Sequence, residues 1–240
     1  MSLFRETRSW WQERSARQGF SATFFQFVEI LKEFGRESTP ASRRQRYGDV
    51  EFDWDHRVDT TGATVSWSDR FVGHLHSAYQ PTEPAAFHEM MALAGIDFPQ
   101  FTFIDIGSGK GRVLLMAADY PFNRVMGVEL LPALHRIAQQ NISKYGKEPR
   151  RCSQFESVCQ NAVDFDFPEE PLVVYLFNPL GEVNLMKLVS NLNQSLTKNP
   201  RPAYVLYHNA LLEHVLLNAG WRKLRDERYF SLFSFVEDRS

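Results

Sequence analysis

From residue 84 onward, short apolar runs alternate with stretches of helical spacing, and this alternation constrains the fold more than any other feature of the 240-residue chain. LVVYLF at 172–177 is apolar without interruption, as expected of a strand covered on both faces of a parallel sheet. Similar runs at 101–106, 124–130, 154–158 and 203–208 read as further strands, and helical patterns at 84–94, 110–120, 132–144, 182–196 and 211–220 separate or flank them. WRKLRDERYFSLFSFVED carries two β-rich runs with a few residues between them, which favours a hairpin over another helical crossover. The expected architecture is a doubly wound α/β, Rossmann-like sheet of seven strands whose last strand is antiparallel.

The first 78 residues break this rhythm and are expected to form a helical and β cap on a domain spanning 79–240. Apolar side chains at positions 20, 24, 27, 28, 31 and 34 predict an amphipathic helix over 20–35, with Ser21 as its N-cap and Gly35 as its stop. The segment 37–49 reads as a loop broken by Pro40. In GDVEFDWDH, acids alternate with Val50, Phe52 and Trp54, which predicts a strand with one wet face. A calcium loop would need Gly and Glu where Trp54 and Thr60 stand. His74 and His76 lack a carboxylate or cysteine at ligand spacing, and Cys152 and Cys159 make neither a zinc motif nor a disulfide framework, so no metal is expected. Residues 1–46 hold nine Lys and Arg against five Asp and Glu, while the remainder holds 18 against 24. The weak positive field favours a solvated helical extension over an anion-binding arm.

FIDIGSGKGR, 103–112, ends a strand in Asp105 and then places glycine at 107, 109 and 111, where main chain must come close to a ligand. A Walker P-loop ending in Gly109-Lys110 would need glycine at 104 and Ser or Thr at 111, and the chain has Ile104 and Gly111. The dinucleotide fingerprint needs glycine where Arg112 stands, so that reading survives as a variant. A carboxylate two residues before the first glycine suits an ammonium and a sulfonium better than a pyrophosphate. Glu129, closing the strand VMGVE, is placed to accept from two ribose hydroxyls.

Over roughly residues 79–236 these motifs resemble those of the class I S-adenosylmethionine-dependent methyltransferases. The resemblance implies that Asp105, Ile106, Gly107, Ser108 and Gly109 surround the methionine part of the donor and that Glu129 and Leu130 meet its ribose. In NAVDFD it implies backbone contacts from Ala162 and Val163 and an adenine-facing acid at Asp164, with Asp166 as the alternative. FNPLG, 177–181, is similar to the N/D-P-P-Y/F motif of amino-group methyltransferases but lacks the second proline and the aromatic. It places Asn178 and Pro179 at the transferring methyl, with Asn178 also against the donor. HSAYQPTEP resembles the Y-x-P-T loop of DOT1-like lysine methyltransferases, which implies Tyr79 and Thr82 as lid or donor contacts. If the acceptor arrives protonated, Tyr207 or His208 at the end of the fifth strand could take the proton.

The function these features imply is methyl transfer from S-adenosylmethionine to a protein or small-molecule acceptor, an amine above all. An NAD-type oxidoreductase and a non-catalytic module acting through its aromatic N-terminal helix are the rival readings. No apolar run reaches the ~18 residues of a membrane span, and no secretory h-region is visible, so a cytoplasmic protein is expected. Nucleic acid is not expected among its partners.

Overall fold

The computed structural model describes residues 3–37, 50–61, 71, 81–145, 151, 152 and 154–235. The N-terminal part contributes α1 (Leu3–Gln18), α2 (Phe20–Glu37) and α3 (Val50–His56). Then follow α4 (Pro84–Ala94), β1 (Thr102–Ile106), α5 (Arg112–Ala117), β2 (Arg124–Glu129), α6 (Pro132–Lys144), β3 (Phe155–Cys159) and β4 (Leu172–Leu176). The chain continues with α7 (Glu182–Lys198), β5 (Ala203–His208), α8 (Glu213–Asn218), β6 (Trp221–Asp226) and β7 (Phe230–Phe235).

All seven strands join one sheet in the order β3-β2-β1-β4-β5-β7-β6. β1 to β5 pair in parallel, and β7 runs antiparallel to both β5 and β6, as the hairpin pattern predicts. Alternate residues of each central strand enter different cores. Ile104, Ile106, Val174, Leu176 and Val205 pack with Leu185, Leu188 and Leu192 of α7 and Leu216 of α8. Phe103, Val173, Tyr175 and Leu206 pack with Phe87 and Met90 of α4 and Leu114 and Leu115 of α5. Each such leucine contributes about 1.5–3 kcal/mol through burial, so sheet and crossover helices are held from both sides. Asp105 and Tyr175 are register partners on neighbouring strands and therefore share a face of the sheet.

Three local expectations fail at the N-terminal end. GDVEFDWDH is helical over Val50–His56, because docking overrides the two-residue alternation. Phe52 is buried, its ring lies 4.5 Å from that of His56 one turn later, and His56 lies 5.1 Å from Tyr145 beyond α6, while Trp54 stays exposed. Ser21 is not a cap. Gly19, at φ 82°, breaks the chain between α1 and α2, and the second helix begins at once with Phe20. Gly35 does not end that helix, which runs to Glu37; burial of Phe34 with Trp10 and Phe71 holds the last turn against the ~1 kcal/mol penalty of an internal glycine. The helix after the glycine turn also stops at Ala117, short of residue 120.

Candidate active site

The strand order reverses between β1 and β4, and in doubly wound sheets the crevice at the carboxyl ends of such strands is where ligands bind. The glycine turn lies there, tied to the neighbouring strand. Gly107 N and Ser108 N both donate to Val128 O, at 2.8 and 3.1 Å, and Gly111 N donates to Ser108 O at 2.8 Å. Gly107 sits at φ 76°, and a Cβ built on it would lie 2.6 Å from Pro179 Cβ. Turn and β4 loop thus approach more closely than any side chain allows. The Ser108 side chain turns toward β2, where a Cβ on Gly127 would meet its Oγ at 2.6 Å. The side chains of Ser108 and Ile106 are thus both taken up by packing, Ser108 against β2 and Ile106 in the α7 core.

Two acids close the turn. Glu129 Oε2 accepts from Gly109 N at 2.8 Å and Oε1 from Leu131 N at 2.7 Å, so the carboxylate is locked between turn and strand end, next to half-exposed Leu130. Burial pushes the Asp105 carboxyl well above the usual carboxylate range, and the charge of Glu129 adds to the shift. Burial raises Glu129 as well, offset in part by the N–H groups of Leu131, Gly109 and Leu130. Among the described residues no side chain donates a hydrogen bond to Asp105. Two buried carboxyls that repel each other when ionised, with no cation between them among the described residues, fit a ligand that brings a positive charge, and the glycine main chain fits one that comes within contact of it.

The neighbouring cations are committed elsewhere. Lys110, fully buried, donates from Nζ to Asp59 Oδ1 at 2.7 Å and to Thr61 O at 2.5 Å. Arg112 donates from Nε to Thr60 Oγ1 at 2.6 Å and from Nη2 to Asp53 Oδ1 at 3.4 Å, with its guanidinium 5.1 Å from the centre of the Phe52 ring. Asp53 also accepts from the N–H of Thr60 and Thr61, at 2.7 and 2.9 Å, and from the Thr60 hydroxyl. Asn141 of α6 completes the clasp, accepting from Asp59 N and donating to Asp59 O and Lys110 O. Sequence reasoning missed this group. Its available signal was a Lys and an Arg inside a buried turn, each of which had to find a partner.

At the ends of β4 and β5, Asn178 stands at φ 46°, accepts from the Tyr207 hydroxyl at 3.0 Å and donates to Asn209 O at 2.9 Å. Burial pushes Tyr207 up to about 12, so this phenol stays a donor and braces Asn178. On the other face of the sheet, Tyr175 OH lies 2.9 Å from Thr82 Oγ1 and 2.8 Å from His208 Nδ1. Burial lowers His208 to about 4, and its ring stacks on Phe177 at 4.1 Å. Tyr175, missed in the sequence, thus anchors Thr82 to the sheet; Tyr79, like His74 and His76, lies outside the described residues. Ala162, Val163 and Asp164 form a short 3-10 turn after β3. Asn161 caps it by accepting from Val163 N, and Asn191 donates to Val163 O and Phe165 O. Ala162 is buried, while Asp164 and Asp166 are exposed.

No family model matches the chain. Over 141 residues it is 28% identical to the H3 lysine-79 specific histone-lysine N-methyltransferase of Dictyostelium discoideum; the match covers 53% of this chain and 8% of that protein. A Listeria monocytogenes protein described as a predicted N6-adenine-specific DNA methylase superposes with a TM-score of 0.50 at 17% identity, over 67% of this chain and 52% of the other. The chain has the fold of the S-adenosylmethionine-dependent methyltransferases. A Salinibacter ruber RNA methyltransferase, solved with S-adenosyl-L-homocysteine, superposes at a TM-score of 0.44 and 21% identity, over 65% of this chain and 92% of its own. The expectation that nucleic acid is not a partner does not stand. The Listeria monocytogenes neighbour that shares this fold is described as a predicted DNA methylase, so the fold does not exclude a nucleic-acid acceptor. Among the described residues no helix is long and apolar enough to cross a membrane.

Proposed function

We propose that this chain transfers a methyl group from S-adenosylmethionine to an amine nitrogen of a protein or small-molecule acceptor. The observation that carries the reading is the pair of buried carboxylates, Asp105 and Glu129, at a turn whose adjacent cations face away. Asp105 would take the donor's ammonium, and the main chain of Ile106 to Gly109 would line its methionine part. Glu129 with Leu130 would hold the ribose, and Ala162, Val163 and Asp164 would border the adenine. Thr82 and Tyr79 would contribute to the cover.

The donor supplies an electrophilic methyl on a sulfonium. The chain's task is to align the acceptor in line with it and exclude water, which is worth several kcal/mol. Asn178 and Pro179 would receive the acceptor nitrogen, a role supported by the Tyr207 hydrogen bond that fixes the Asn178 amide and the close contact with Gly107 that fixes Pro179. Residues 1–78 would act as a cap that selects the acceptor. The rival NAD reading would need a glycine where Arg112 is built into the clasp.

Calorimetric titration with S-adenosylhomocysteine tests the reading. The unsubstituted chain is expected to bind it and not NAD. Glu129→Ala is expected to weaken binding about 10- to 100-fold, the worth of hydrogen bonds to a charged acceptor. Equal affinity of the variant, or preference for NAD, refutes the assignment.

A further inference from the structure

Lys110 stands between the last two glycines of the turn and Arg112 directly after it, yet both side chains leave the crevice and are buried, at 0% and 2% exposure, against residues some fifty positions earlier. Among the described residues their partners include Phe52, Asp53, Asp59, Thr60 and Thr61, together with Asn141. Asn141 Nδ2 donates both to Asp59 O and to Lys110 O, so it joins the N-terminal segment to the main chain of the turn itself. Gly109, whose N–H donates to Glu129, immediately precedes Lys110, and Gly111 lies between the two cations. The clasp therefore holds the turn from behind at the residues next to the ones that meet the crevice from the front.

A buried ammonium or guanidinium without its partner is strongly disfavoured, so the turn and the segment 52–61 have to seat together. Two elements that seat together and meet one ligand through only one of them are thermodynamically linked. A ligand that orders the turn tightens the segment, and loosening the segment weakens the ligand by the same factor.

We propose that Asp53, Asp59, Thr60 and Asn141 are positioning residues for the donor, and that seating of residues 52–61 on Lys110 and Arg112 sets the donor affinity of the glycine turn. The inference rests on the reading of the turn as a donor site. It makes the N-terminal part a component of cofactor binding, beyond any part it takes in choosing the acceptor.

Residue-resolved amide exchange of the full chain, with and without saturating S-adenosylhomocysteine, gives a readout that a merely structural clasp would leave unmoved. The reporters are the N–H groups of Asp59, Thr60 and Thr61, which donate to Asn141 and Asp53. None of them belongs to the donor crevice. Their exchange is expected to slow on ligand binding, and Asp53→Asn and Thr60→Val, assayed below their melting temperatures, are expected to weaken the ligand on the order of 5- to 150-fold. Unchanged exchange at these three amides in a chain that binds the ligand overturns the proposal, as does wild-type affinity in the folded variants. Should neither variant fold, exchange in the unsubstituted chain decides alone. Failure of the unsubstituted chain to bind S-adenosylhomocysteine overturns the donor reading and this inference with it.

Discussion

Replacing Asp59 by Asn is expected to cost roughly 3 kcal/mol of stability near neutral pH, and adding Lys110→Met is expected to return part of that loss. The asymmetry comes from burial. The Lys110 side chain is 0% exposed and that of Asp59 is 34% exposed, so removing the carboxylate strands a desolvated ammonium, while removing the ammonium leaves an acid that water can reach. Breaking a buried pair typically costs about 3–5 kcal/mol. The lower end applies because Asp59 is partly wet and Nζ keeps Thr61 O. In the double variant no charge needs solvation, and the main residual loss is the Thr61 carbonyl's partner, about 1 kcal/mol.

The pH dependence carries a definite sign. Burial lowers the Lys110 pKa from its ordinary value, and Asp59 is what mainly holds it up. A folded pKa below the unfolded one means the unfolded chain binds more protons in between, so stability rises with pH across that window. Without the Asp59 charge the folded value falls further and the window widens downward. The Asp59→Asn deficit should therefore shrink between about pH 7 and about pH 10. Urea denaturation with linear extrapolation at both values measures it, provided the slopes agree among variants. A double variant less stable than Asp59→Asn, or a deficit that does not change with pH, would refute the reasoning.

Donor affinity should also depend on pH. An ammonium needs Asp105 ionised, and burial followed by the Glu129 charge raises that carboxyl. Affinity for S-adenosylhomocysteine is thus expected to increase as pH rises through the raised titration. Over the same window the ligand-free chain loses stability, since its unfolded state gives up the proton first. Asp105→Asn should flatten a calorimetric pH series, and a flat series for the unsubstituted chain would count against Asp105 as the ammonium's partner. Gly107→Ala should cost about 1–2 kcal/mol for its positive φ and about 1–3 kcal/mol more for overpacking, since its Cβ would lie 2.6 Å from Pro179 Cβ. A measured loss below about 1 kcal/mol would deny the close approach of turn and loop.

Much of the sheet was legible because strand and helix signals are local. LVVYLF reads as a doubly covered strand wherever it is found, and β4 is buried along its whole length. The glycine turn was legible for a similar reason, since glycine spacing and a preceding acid are neighbours in sequence. Val50–His56 misled because its two-residue alternation is genuine as a pattern; burial of Phe52 and its tilted ring contact with His56 are what make it helical. Tyr175 gave no local sign of its partners, since Thr82 and His208 reach its hydroxyl from 93 and 33 positions away.

The sequence by itself determined the alternation of layers, the hairpin at the end and the acid–glycine turn, all encoded by residues within a few positions of one another. The tertiary structure alone decided which way the turn's side chains face. In the sequence Lys110 and Arg112 serve only to test the Walker and dinucleotide motifs, and only docking of residues 52–61 shows them to be buried cations with partners of their own. The physical reason is desolvation. A charge removed from water must be matched wherever the fold can supply a partner, and that place is set by packing over the whole chain rather than by any spacing along it.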